Sequence, residues 1–263
     1  MELGIKNKVA VVTGGSRGLG KAVSFSLAKE GAKLAICARD EKTLNEVKNE
    51  IEDKFNSQVF VYPCDLKNKD EIYKFKNEVI KRFETVHLLY INAGGPPVGG
   101  FFDFKDNDYI DALNLNLMST INLTYAFIDF MINNRYGRIV ASTSISVKEP
   151  LPDIILSNVS RTPVVAFIKS LSIEVAKYNI TANCVAPGYT LTDRLRKVIE
   201  NRAKKNDISF EEELKKLSEE IPAKRVGNPE EYADVVTFLL SERASYVTGV
   251  TLLIDGGAYK GLM

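Results

Sequence analysis

The sequence carries almost no net charge, one histidine and no paired cysteines, and each shortage removes a class of function. Its 35 Lys+Arg stand against 34 Asp+Glu, a formal net charge of +1 over 263 residues. Neutralising nucleic-acid phosphates needs a concentrated basic excess, so no nucleic-acid partner is expected. Cys37, Cys64 and Cys184 lie far apart, which argues for a reducing compartment and against a disulfide framework. His87 is the one possible imidazole base for a Ser-His-Asp hydrolase, and a structural zinc site is short of ligands. No run reaches the roughly 18 apolar residues of a membrane span, and MELGIKNKVAVVTGG has no signal-peptide pattern. A soluble, cytoplasmic protein without metal or membrane partners is expected.

What is present is alternation. Short runs rich in β-branched residues, at Val9–Thr13, Lys33–Cys37, Val59–Tyr62, His87–Ile91, Arg138–Ser142, Thr181–Val185 and Thr251–Ile254, are separated by stretches of helical period. The helical stretches lie near Leu19–Glu30, Glu41–Phe55, Lys69–Arg82, Asp106–Asn133, Pro163–Tyr178 and Pro229–Leu240. This order predicts an α/β fold: a doubly wound, seven-stranded parallel sheet with helices on both faces, in one domain over residues 1–263. The segment 191–226 is dense in charge yet has Leu195, Val198, Ile199, Leu214 and Leu217 at helical spacings. It reads either as solvated surface helices or as a lid over the carboxyl edge of the sheet, where open α/β folds bind ligands.

Thr13-Gly14-Gly15-Ser16-Arg17-Gly18-Leu19-Gly20 joins the first strand to the first helix. Gly14 suits a tight turn, Gly18 a close approach to pyrophosphate, and Gly20 helix-to-strand contact. The amides that open the helix then face the phosphates.

This turn, Asn92-Ala93-Gly94, Asn116, Ser144, Pro187-Gly188 and Asp255-Gly256-Gly257 resemble the short-chain dehydrogenase/reductase family, and within it the 3-oxoacyl-carrier-protein reductases. The resemblance spans nearly the whole chain. It implies a single Rossmann-type domain, a nicotinamide dinucleotide, a small-molecule substrate, and a homotetramer or homodimer. It places the cofactor against Gly14, Ser16, Arg17, Gly18, Leu19 and Gly20, with Asp65 and Leu66 at the adenine edge. Asn92, Ala93 and Gly94 fall on the adenosine side, and Pro187, Gly188, Thr190 and Thr192 beside the nicotinamide. NAD-preferring relatives carry an acidic residue where this chain has Ala38, followed by Arg39. With Arg17 and Arg39 able to meet a 2′-phosphate, NADP is expected over NAD.

The family's catalytic set is Asn, Ser, and a Y-x-x-x-K pair. A neighbouring ammonium lowers the phenol from its usual pKa of about 10, so that it exchanges a proton near neutral pH. Asn116 and Ser144 fall on the first two roles, but the pair reads Ser157 and Arg161. A serine hydroxyl ends short of a phenol oxygen's place. An arginine, with a pKa above about 12, holds a ribose but does not trade protons. Pro163 further predicts that the helix begins near Thr162 or Pro163, which would take residues 157 and 161 off a common face.

Among other proton donors Tyr189 comes first, by its chemistry, ahead of Lys148, Glu149 and Asp153. His87 reads as structural, and Phe101 and Phe102 either wall a substrate pocket or close a subunit contact. Two functions follow. One is an NADP-dependent oxidoreductase acting on a carbonyl/alcohol pair with a non-standard proton donor. The other is a catalytically weak or inactive relative that binds nucleotide as a sensor or assembly partner. No distinctive acid/base pair supports a lyase or isomerase on this fold.

Overall fold

Strand β1 reads Val-Ala-Val-Val-Thr and is buried along its whole length, because helices cover both of its faces. In the computed structural model, which describes residues 2–262, six further strands join it. They are β2 (Lys33–Ala38), β3 (Val59–Pro63), β4 (Leu88–Ile91), β5 (Gly137–Ser142), β6 (Ile180–Pro187) and β7 (Thr251–Ile254). All pairings are parallel, in the order β3-β2-β1-β4-β5-β6-β7.

Alternate strand residues feed two apolar layers. Val9 and Val11 face a layer completed by α3 (Lys69–Phe83), α5 (Ser119–Asn134) and α6 (Ile155–Val175), through Phe75, Phe127 and Ile168. Ala10 and Val12 face the other, built from α1 (Gly18–Lys29), α2 (Glu41–Phe55) and α9 (Pro229–Leu239), through Leu27, Ile51 and Val236. The sheet's order reverses between β1 and β4. The two glycine-bearing turns, after β1 and after β4, open at that point, where doubly wound folds bind their ligands.

Three expectations change. First, β4 starts at Leu88, because the His87 imidazole is itself in the structure: Nδ1 accepts from the Val9 amide at 3.0 Å, and burial beside Lys8 holds its pKa below the usual range. Second, the long helix from Asp106 is broken into α4 (Asp106–Leu113) and α5 by a π turn at Asn114–Met118. This 29-residue run is long and apolar enough for a membrane by composition, but Leu123, Phe127 and Met131 are core residues.

Third, α6 does not wait for Pro163. It starts at Ile155, so Ser157 and Arg161 lie one turn apart on one helix and both are buried. The proline forfeits its bond to the Val159 carbonyl, on a side of the helix where Val159 is exposed to water. The opening turns are held by tertiary bonds instead: Asn158 Nδ2 donates to the Leu151 carbonyl at 2.8 Å and Asn116 Nδ2 to Ser160 Oγ at 2.8 Å. The helices expected over residues 191–226 form a hairpin of α7 (Asp193–Asn206) and α8 (Phe210–Glu220), with a separate apolar cluster of Leu195, Ile199, Leu217, Ile221 and Val226.

Candidate functional site

The dinucleotide-type turn is closed by a pair of bonds between strand ends. The Asn92 amide donates to Thr13 Oγ1 at 2.8 Å, and that hydroxyl donates to the Asn92 carbonyl at 3.1 Å. Gly14 has φ of +60°, and a Cβ there would sit 2.6 Å from the Asn92 carbonyl oxygen. A Cβ on Gly20 would fall 2.1 Å from the carbonyl oxygen of Gly14. Both contacts are with backbone, which cannot step aside. Asp40, Asn68 and Ser209 cap α2, α3 and α8 with their side chains, whereas Arg17 at the head of α1 supplies no side-chain cap. Its first-turn amides thus have no acceptor from the cap side chain, as an anion-binding helix start requires. Gly20→Ala is expected to cost about 2–4 kcal/mol in urea unfolding and to abolish dinucleotide binding in a fluorescence titration.

The same edge carries the other residues of this half. Arg17 Nη2 lies 3.5 Å from Asp40 Oδ2, both exposed, with exposed Arg39 beside them. After β3, Asp65 Oδ1 accepts from the Lys67 amide at 3.0 Å and the Asp65 amide donates to Glu71 Oε2 at 2.7 Å, while Leu66 is buried. After β4, Ala93 is buried and Gly94 faces open space. Ser16 and Leu19 are half-buried within the turn.

Beyond β6, Gly188 packs where a Cβ would be 2.8 Å from the Asp255 Cα, so its amide reaches the Ile254 carbonyl at 2.9 Å. Pro187 ends β6, and buried Thr190 pairs with Gly227 as an isolated bridge. Thr192 caps α7, and its methyl comes within 3.4 Å of where a Gly18 Cβ would be. The hairpin therefore starts against the glycine turn.

Between these halves lie the residues read as chemical. Asn116 occupies the π turn and is buried. Its Nδ2 holds Ser160, while Oδ1 has no partner among the described residues. Ser144 opens a three-residue 3₁₀ turn after β5, its Oγ accepting from the Ser146 amide at 3.1 Å. Arg161 reaches under the strand ends. Its Nη1 donates to the carbonyls of Ser142 and Thr143 at 3.1 and 3.3 Å, and Nη2 to Ala93 at 3.4 Å. Burial, and then the nearby Arg194 cation, lower its pKa to about 10, which leaves it charged at neutral pH. No described carboxylate forms an ion pair with it.

Three residues at the site escaped the sequence reading. Tyr90 and Tyr232 place their hydroxyls 3.2 Å apart, and Tyr232 donates to Ser142 Oγ at 2.9 Å. Burial pushes Tyr90 up to about 12 and Tyr232 well above its usual value, so both stay protonated. Arg194 of α7 crosses to the loop after β4, Nη2 donating to the Pro96 carbonyl at 3.3 Å.

Tyr189 packs against the hairpin's apolar cluster and lines a cavity of about 230 Å³ with Arg225, Glu231 and Tyr232. Lys148, Glu149 and Asp153 are exposed, and the Asp153 carbonyl accepts from the Gly99 amide at 2.7 Å, tying two loops together. Phe101 and Phe102 are exposed, Phe102 to 96%, and their rings meet edge to face. A larger cavity, about 850 Å³, runs from Arg17 and Gly18 along the outside of α1, between α2 and α9.

The family model described as enoyl-(acyl carrier protein) reductase matches residues 14–259. The chain is a short-chain dehydrogenase/reductase. It is 32% identical over 257 residues to the 3-oxoacyl-(acyl-carrier-protein) reductase FabG of Buchnera aphidicola, covering 98% of this chain and 99% of that one. It is also 32% identical over 267 residues to the NADPH-dependent reductase BacG of Bacillus subtilis, covering 98% and 100%. The L-sorbose reductase of Gluconobacter frateurii, solved with NADPH and L-sorbose, superposes with a TM-score of 0.96 over 100% of both chains at 32% identity. The chain has the Rossmann-type α/β fold of that family and is an oxidoreductase of that type.

Proposed function

We propose that this short-chain dehydrogenase/reductase is an NADPH-dependent reductase of small carbonyl compounds, working without the family's phenol–ammonium pair. The observation that carries the reading is the convergence of Ser144, Asn116 and Arg161 beside an α1 terminus left uncapped. The cradle fits a dinucleotide: two glycines press on backbone, free amides face outward, and Arg17 and Arg39 flank the turn where a 2′-phosphate would sit. BacG is described as NADPH-dependent and the sorbose reductase was solved with NADPH, which supports the same choice. When bound, NADPH supplies hydride.

This chain's residues do the rest. The Ser144 hydroxyl holds the carbonyl oxygen, and Arg161, fixed by three carbonyls, would hold the nicotinamide ribose. Asn116 fixes α6 through Ser160. Ser157 stands one turn from Arg161 with no acid of its own, so water supplies the proton past the two serine hydroxyls. The α7–α8 hairpin acts as the lid. Turnover is correspondingly slow.

Spectrophotometric assay with ketones, ketoesters and quinones should show NADPH oxidation, with NADH at least about tenfold poorer. Arg17→Ala with Arg39→Ala should weaken NADPH about 10- to 100-fold and leave NADH unchanged. NADPH binding with no turnover on any class would instead favour the nucleotide-sensing reading, to which the engagement of Arg161 with backbone also lends support. Two separate sets of exposed apolar residues favour a homotetramer over a homodimer: Met118, Tyr125, Val159 and Ile173 on α5 and α6 and their approaches, and Phe238, Val250 and Leu252 at α9 and β7.

A further inference from the structure

We infer that Arg194 anchors a carboxylate on the substrate, so that the protein reduces oxo acids in preference to neutral ketones. The inference rests on the reductase reading above and narrows its substrate class. Arg194 is the second residue of α7, and although the residue as a whole is exposed, its guanidinium is turned back over the loop after β4. Nη2 is bonded to the Pro96 carbonyl, and Nη1 lies so close over Gly95 that a Cβ there would fall 1.2 Å from it. Arg161 holds the Ala93 carbonyl from below. Residues 93–96, which follow β4 at the switch point of the sheet, are therefore bracketed by two guanidiniums near enough for one to depress the ionisation of the other.

Neither cation has a counterion among the described residues. The acids of the neighbouring elements, Glu149, Asp153 and Asp193, are exposed and form no ion pair with them. Of the five N–H donors on Arg194 only one meets a protein acceptor. Two neighbouring positive charges without a carboxylate are unfavourable until an anion arrives, and the planar fork of Arg194 donors matches a carboxylate in two parallel bonds. A neutral ketone offers one acceptor and no charge. The dinucleotide's phosphates are the other possible anion, since Thr192, two residues before Arg194, lies against the glycine turn. The uncapped amides of α1 suit those phosphates, which leaves Arg194 for the substrate.

The test uses the full-length protein with NADPH and compares acetoacetate and pyruvate with their methyl esters. Acid should exceed ester in kcat/KM by about tenfold or more, and Arg194→Leu should remove that ratio through KM while leaving the NADPH Kd within about twofold. Arg194→Lys should restore part of it. Gly95→Ala, which displaces the guanidinium without deleting its charge, should copy the loss. Equal kcat/KM for acid and ester in the parent overturns the inference. So does a tenfold weaker NADPH Kd in Arg194→Leu with acid and ester falling together, which would mark a phosphate clamp. If neither substrate turns over, the reductase reading fails, and the inference is read from the melting temperature of the NADPH complex instead. Stabilisation by the acids alone, lost in Arg194→Leu, upholds it; equal shifts from acids and esters, or none, overturn it.

Discussion

Ser157→Tyr combined with Arg161→Lys is expected to raise kcat for ketone reduction by about 10²- to 10⁴-fold, the range that a positioned general acid contributes. The helix α6 makes the experiment meaningful: both positions are buried, one turn apart, and held by the bonds from Asn158 and Asn116. A phenol at 157 would reach the space that the serine hydroxyl leaves empty, and an ammonium at 161 would stabilise its ionised form. Ser157→Tyr alone should gain much less, because the Arg161 guanidinium is committed to the carbonyls of Ser142, Thr143 and Ala93. The gain should be non-additive across the cycle. The double variant should also acquire a pH profile. A reduction needs the protonated phenol, so kcat should fall as pH rises through a phenol pKa brought below about 10. A parent that draws its proton from water should show no such limb. A folded double variant with unchanged kcat would mean that proton delivery does not limit the reaction.

Ser144→Ala should lower kcat by about 10²- to 10³-fold, as removal of a single oxyanion donor does. Ser144 makes few structural demands. Its recorded side-chain bond caps a three-residue turn through the Ser146 amide, so the loss in stability should stay near 1 kcal/mol. The NADPH Kd should not move. Ser144→Thr keeps the hydroxyl and should recover part of the rate. Equal rates for Ser144→Ala and the parent would remove the carbonyl from Ser144 and with it the proposed pocket.

The centre of the sheet was legible because β1, β4 and β5 are buried on both faces and therefore read as apolar runs with little polar interruption. The glycine turn was legible because Gly14 and Gly20 are forced by backbone contacts that leave no room for Cβ. Pro163 misled, because a local rule about missing amides was outweighed by the tertiary bonds that hold the first two turns of α6. The π turn at Asn116 left no mark in the periodicity, since one extra residue per turn hardly disturbs a pattern read over a long helix. Arg194 and the Tyr90–Tyr232 pair were invisible for another reason. Their partners lie 98 and 142 residues away along the chain, and only the closed fold brings them together.

The small apolar cluster of α7 and α8 is separate from both layers that sandwich the sheet. Its ties to the body include the Thr190–Gly227 bridge, the Leu191 amide on the Gly227 carbonyl, and the Arg194–Pro96 bond. With an apolar cluster of its own, the hairpin is expected to open at a fraction of the global unfolding cost, with β1 to β7 intact. As the proposed lid, the hairpin would separate the entry and departure of reactants from the rigidity that the chemistry requires, and surface changes within residues 191–226 alone would tune the tempo of catalysis.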